Sequence, residues 1–168
     1  VEYEVTTLYL DLEGTVLTNW SDALLMNVSR VTDFLDANPD LDRSDVRVFS
    51  FAIYNDADKE TFVRTMKPML ERALGVTLTA CPSLYDMAIR SQMLTGYRWV
   101  DQDTGALDIT MYINVVGKVR AFEDWVTYHR DEGASRVVLV DDIVPMKTVL
   151  NHTLGLQLDY INVDKLGV

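Results

Sequence analysis

The sequence holds a single cysteine, Cys81, so no disulfide can form within the chain. Disulfide stapling, the device of very small secreted domains, is therefore excluded, and 168 residues can bury a sizeable core as one domain without it. Basic residues are also scarce: 15 Lys and Arg stand against 26 Asp and Glu, a formal net charge of -11. Such a surface repels nucleic acid and anionic membranes at long range. An extended nucleic-acid footprint is therefore not expected, although a local basic pocket around one phosphate is compatible with this charge. No apolar run reaches the roughly 18 residues that a bilayer span needs. The opening Val1-Glu2-Tyr3-Glu4 lacks the basic-then-apolar layout of a secretory signal. With the lone cysteine, these features lead to the expectation of a cytoplasmic chain without membrane attachment. Gly-rich nucleotide loops of the Walker or dinucleotide type are missing. His129 and His152 have no metal-ligand spacing to a partner.

What is present is an alternation of short apolar runs with longer amphipathic ones. Strands are expected at Val5 to Leu10, Val46 to Ile53, Val76 to Ala80, Arg136 to Val140 and Leu158 to Val163. Helices are expected at Asp22 to Ala37 with Ser21 as N-cap, Ala57 to Leu74, Ser83 to Leu94, Lys118 to Glu132 closed by Gly133, and Pro145 to His152. Gly96 to Val116 reads as a β-hairpin or flap turning at Asp103-Thr104-Gly105. Strands separated by helices imply an α/β fold of three layers, Rossmann-like, with a mainly parallel sheet and helices on both faces. Ligands of such sheets bind outside the carboxyl ends of the strands.

The polar residues of interest stand at those ends. Asp11-Leu12-Glu13-Gly14-Thr15 follows the first strand. A carboxylate at Asp11 can attack phosphorus, and Glu13 could protonate the leaving oxygen and then activate water. Gly14 permits a tight turn, and the Thr15 hydroxyl can hold it. Asp141-Asp142 follows Val137-Val138-Leu139-Val140. Adjacent carboxylates at a buried strand end repel each other and lose hydration. A hard divalent cation such as Mg2+ relieves both effects. Lys118, 23 residues before Asp141, opens a helix that can return its ammonium to the same crevice. Ser50 lies in the second strand and could hold a phosphoryl oxygen. Asn55 competes with it for that role, because the apolar run continues past Ser50.

These pieces, in this order, resemble the haloacid dehalogenase superfamily of phosphohydrolases. LYLDLEGTV matches its first motif, VFSF at Ser50 its second, GKVRAF at Lys118 its third and VVLVDD its fourth. The resemblance implies that Asp11 is the nucleophile and a magnesium ligand. The Glu13 main chain with Asp141 or Asp142 would complete the protein's share of the metal shell. Ser50 and Lys118 would bind the phosphoryl group, and Glu13 would be the acid and base. The chain departs from the pattern at Glu13, where most phosphatases of the family carry Asp, and at Met146, where many carry a further Asp or Asn.

The stretch between Asp11 and Ser50 is too short for a helical cap, so a minimal-cap enzyme with an open crevice is expected. Phosphorylated substrates, among them nucleotides, nucleic-acid ends and phosphoproteins, would have access. Trp20, Tyr54, Tyr97 and Trp99 are candidates for its rim or for packing. Two alternatives remain at this level. One is a catalytically weak or inactive binding or regulatory protein on the same fold. The other is a phosphoacceptor domain of the response-regulator kind, which is disfavoured because there the acidic pair precedes the phosphorylated Asp.

Overall fold

The computed structural model describes residues 5–101, 103–129, 134–152 and 154–167. The chain runs β1 (Val5–Leu10), α1 (Val28–Ala37), β2 (Leu41–Val48), α2 (Asp56–Thr61), a π-helical turn (Phe62–Met66), α3 (Lys67–Leu74) and β3 (Leu78–Ala80). It continues through α4 (Leu84–Thr95), α5 (Ile109–His129), β4 (Ala134–Asp141), β5 (Lys147–Asn151), β6 (Leu156–Asn162) and a 3-10 turn (Val163–Lys165). The strands form one sheet in the order β3-β2-β1-β4-β6-β5. All neighbours are parallel except β5 and β6.

Parallel strands are covered on both faces, which is why β4 reads as an unbroken run. Val137 through Val140 have no exposed surface at all. Side chains alternate between two cores, as a pleated strand requires. Leu8, Leu10, Val138 and Val140 meet Val31 and Leu35 of α1 and Leu70 and Leu74 of α3. Tyr9, Val137 and Leu139 meet Leu84 and Met87 of α4 and Tyr112, Phe122 and Val126 of α5 on the other side. The result is the expected α/β architecture, a mostly parallel six-stranded sheet between two helical layers. No helix among the described residues is long and apolar enough to cross a membrane.

Several local expectations are corrected. α1 starts at Val28, not Asp22, and Ser21 does not cap it. The preceding residues are drawn into a small loop by main-chain bonds from Thr18 N to Leu24 O and from Met26 N to Val16 O. β2 ends at Val48, so Ser50 lies just beyond a strand end and not within the strand. The helix expected over Ala57 to Leu74 is interrupted by the π turn, where Lys67 N reaches back to Phe62 O. Its wider spacing accommodates Pro68, which lacks an N–H and crowds the carbonyl four residues back.

The hairpin expected over 96–116 is confined to a tight loop closed by Asp101 N to Ala106 O and Asp108 N to Trp99 O. Ile109 onward is helical. Its β-branched residues misled the reading, but Ile109, Tyr112 and Val116 are buried at helical spacing and the Asp108 carboxylate accepts from Met111 N at 3.0 Å. Pro145 to His152 is not a helix. Residues 147–151 form the antiparallel edge strand β5, with Val149 opposite Leu158. Glu132 and Gly133, expected to end the fourth helix, and Val1 to Glu4 lie outside the described residues.

Candidate active site

Three strand ends meet at the centre of the sheet, where β1 lies between β2 on one side and β4, entered from β3, on the other. Ligands collect at such a switch point. Asp11 N donates to Val140 O at 3.0 Å, and Phe49 N donates to Leu10 O at 2.8 Å. These bonds bring Asp11, Ser50 and Asp141 to the same end of the sheet. One carboxylate oxygen from each of Asp11, Asp141 and Asp142 lies within 4.8 Å of the others.

The turn after β1 is wound tightly around Leu12 O, which accepts from the main-chain N–H of Thr15, Val16 and Leu17. Gly14 takes φ +78° in this turn and lies directly beneath the Asp142 carboxylate. Thr15, fully buried, donates its hydroxyl to Asp11 Oδ2 at 2.9 Å. The other oxygen, Oδ1, accepts from Lys118 Nζ at 3.0 Å.

Lys118 is 7 % exposed and stands between two carboxylates, with Asp141 Oδ2 at 2.9 Å. The helix carrying it is kinked at Gly117, whose φ of 75° and ψ of 172° leave the helical region. That break sets the direction in which Lys118 enters. Its ammonium is also flanked by the rings of Phe51 at 5.1 Å and Phe49 at 5.6 Å. Ser50 stands between these two phenylalanines in the chain, with 1 % exposure. Its Oγ accepts from Ala52 N at 3.1 Å, which leaves the O–H to donate.

Charge in the cluster is unbalanced. Burial raises the Asp11 carboxyl above its usual range, and Asp141 raises it further, while Lys118 and Thr15 pull it down. Burial and then the charges of Asp11 and Asp141 push Asp142 up to about 7. Burial alone would depress Lys118, but Asp11 and Asp141 more than offset it and hold the ammonium protonated. One cation faces three carboxyls. Asp141 is fully buried, and the Lys118 ammonium at 2.9 Å is the charge that faces its Oδ2. An all-oxygen donor set in which three carboxyls share one ammonium fits a hard divalent cation such as Mg2+.

The other expected residues are placed differently. Glu13 is exposed, and its Oε2 accepts from Trp20 N at 2.8 Å, which ties it to the small loop after the Asp11 turn. Its carboxylate is not one of the three that cluster. Asn55 is the N-cap of α2, accepting from Asp58 N at 3.0 Å. It lines a separate depression with Asp56, Tyr85 and Ile89, which contains none of the clustered acids. Trp99 is buried against Tyr112, so it packs the core, whereas Tyr54 and Tyr97 are exposed. Met146 Sδ accepts from Asn162 N at 3.0 Å instead of supporting a metal.

Sequence reasoning missed Phe49, Phe51 and Asn162 around the cluster. Asn162 donates to the main chain of the Asp142 turn. Its only sequence signal was an Asn at the end of an apolar run. Beside Lys118 opens a depression of about 530 Å³ walled by Val116, Arg120, Glu123, Ile143 and Val144. No protein-family model, curated protein or solved structure matches the chain.

Proposed function

We propose that the chain is a magnesium-dependent phosphohydrolase of the haloacid dehalogenase type, cleaving phosphate monoesters through an aspartyl-phosphate on Asp11. The observation that carries this reading is the convergence of Asp11, Asp141 and Asp142 at neighbouring strand ends with Lys118 between them. Asp11, Asp141 and Asp142 would hold Mg2+, which supplies charge neutralisation and orientation of the phosphoryl group.

The chain's own residues supply the rest. Asp11 attacks phosphorus in line with the departing ester oxygen, forming the acyl phosphate while the P–O ester bond breaks. Lys118 offsets the charge on the transferring group, and Ser50 donates to a phosphoryl oxygen. Thr15 holds Asp11 in a fixed rotamer through Oδ2. Glu13 gives its proton to the leaving oxygen, then takes one from the water that hydrolyses phospho-Asp11. Glu13 must exchange its bond to Trp20 N for this role.

The test is phosphate release from a panel of aryl, sugar and nucleotide monoesters with Mg2+, beside Asp11→Asn. The expected result is Mg2+-dependent turnover that Asn at position 11 abolishes. Turnover unchanged in that variant would remove Asp11 from the chemistry. Metal binding without turnover on any ester would favour the second reading, a phosphoryl-binding or regulatory protein. The engagement of Glu13 with Trp20 is the observation that favours that second reading.

A further inference from the structure

Asn162 is the last residue of β6 and pairs in register with Asp141, the last residue of β4. Its side chain is fully employed. Nδ2 donates to the main-chain carbonyl of Asp142 at 3.2 Å and to that of Val144 at 3.0 Å. Oδ1 accepts from Asp164 N at 2.9 Å, capping the 3-10 turn that follows. The Asn162 N–H goes to Met146 Sδ. One residue on a buried strand thus grips the turn after the acidic pair at three points.

That turn needs a tether. Asp142 is the least buried of the three carboxylates, and it faces two others of the same sign. Repulsion alone would swing it toward water. Ile143 N–H bonds to Asp141 Oδ1 at 2.9 Å, which fixes Asp141 and not Asp142. Val144 anchors the far side of the turn in the core. Between these anchors, the main-chain carbonyl of Asp142 is held by the amide of Asn162.

We propose that Asn162 is a positioning residue for the cation site, holding the Asp142 carboxylate against Asp11 and Asp141 through the main chain of the 142–144 turn. The inference rests on the metal-site reading above. Partners that orient ligands in this indirect way typically change metal affinity on the order of 10- to 100-fold when removed.

Mn2+ binding to the full chain, followed by electron paramagnetic resonance, tests it without relying on activity. Asn162→Asp keeps the size and the acceptor for Asp164 N but loses both donated bonds. Asn162→Ala loses all three side-chain bonds. Gln157→Ala serves as a control at the far end of β6, where the amide meets Asp159. Both position-162 variants should bind Mn2+ about 10-fold or more weakly, with Gln157→Ala unchanged. In turnover, the Mg2+ concentration for half activity should rise while KM for an aryl phosphate at saturating Mg2+ stays near the original.

Should Asn162→Ala fail to fold, Asn162→Asp and a milder Asn162→Ser carry the same measurement. Folded variants with Mn2+ affinity within threefold of the original overturn the inference and leave the metal site standing. An original chain that binds no Mn2+ overturns the metal-site reading, and this inference with it.

Discussion

Gly14 lies so close beneath the Asp142 carboxylate that a Cβ there would stand 2.8 Å from Asp142 Cγ, and nearer still to Oδ2. The two motifs that carry the acids are therefore packed against each other, one from the end of β1 and one from the end of β4. The Gly14 backbone also sits at φ +78°, a region that a side chain makes unfavourable.

Gly14→Ala should accordingly combine backbone strain with displacement of Asp142. We expect destabilisation of about 1–3 kcal/mol by chemical denaturation. If Asp142 is a ligand, Mg2+ affinity should fall more than the stability loss alone implies, because the substitution displaces its carboxylate. Gly75→Ala, with comparable φ but open space around it, should be destabilised without any effect on metal. Equal metal affinity in the Gly14 variant would mean that Asp142 is not a ligand.

Removing Lys118 leaves Asp11 and Asp141 buried without their shared cation. Lys118→Met, similar in length but neutral, should lose about 3 kcal/mol near neutral pH, the scale of breaking a buried pair from one side. The loss should shrink at low pH, where the abandoned Asp11 carboxyl can protonate, and shrink when Mg2+ is added. Since Lys118 titrates above its usual value in the fold, its contribution persists through the neutral range and fades only at strongly alkaline pH. Thermal melts of the two proteins at pH 5, pH 8 and strongly alkaline pH, with and without Mg2+, check these outcomes.

The acidic cluster predicts an unusual pH profile for the metal-free chain. Asp142 is raised from 3.8 to about 7 in the fold, so the folded state binds a proton that the unfolded state releases. Stability from that proton is complete below about pH 4 and is lost as pH climbs through 7. Asp11 shifts in the same direction. The cluster should therefore lower the melting temperature in chelator as pH rises from 5 to 8. Mg2+ should reverse that slope, since binding displaces the protons. Asp142→Asn should flatten it in chelator, and a slope unaltered by that substitution would place the titrating group elsewhere.

Much of this site was legible in the sequence because the acids stand at the ends of buried runs. The strand ending in Leu10 and the run Val137 to Val140 both declared themselves by continuous apolar character, and the acids after them follow from sheet topology. Ser50 was harder. Phe49 and Phe51 extend the apolar run, but their rings belong to the packing around Lys118 and not to β2. The 109–116 helix was hidden by Ile109, Ile113, Val115 and Val116, which favour strands in isolation. Burial against α4 decided otherwise. β5 was hidden because an edge strand buries little, leaving Lys147, Thr148 and Leu150 exposed. Asn162 could not be assigned from sequence, since its partners at 142 and 144 are main-chain atoms brought near only by the pairing of β4 with β6.

If the proposed function holds, Glu13 is the residue on which turnover depends. Its carboxylate is exposed and held by Trp20 N, so it is not preset to act as acid or base on a group at Asp11. Under the two-step scheme, Glu13→Gln removes the proton donor and the base while sparing the nucleophile and the acidic cluster. With an aryl phosphate, whose leaving group departs without protonation, the first step should survive. The second step needs the base, so kcat should fall by roughly 10²- to 10⁴-fold and the acyl phosphate should accumulate. Rapid-quench trapping should then show a burst near one equivalent per chain, absent in Asp11→Asn. Glu13→Asp, one methylene shorter, should restore part of the rate if reach is the constraint. Full turnover in Glu13→Gln would transfer the acid–base role to another group.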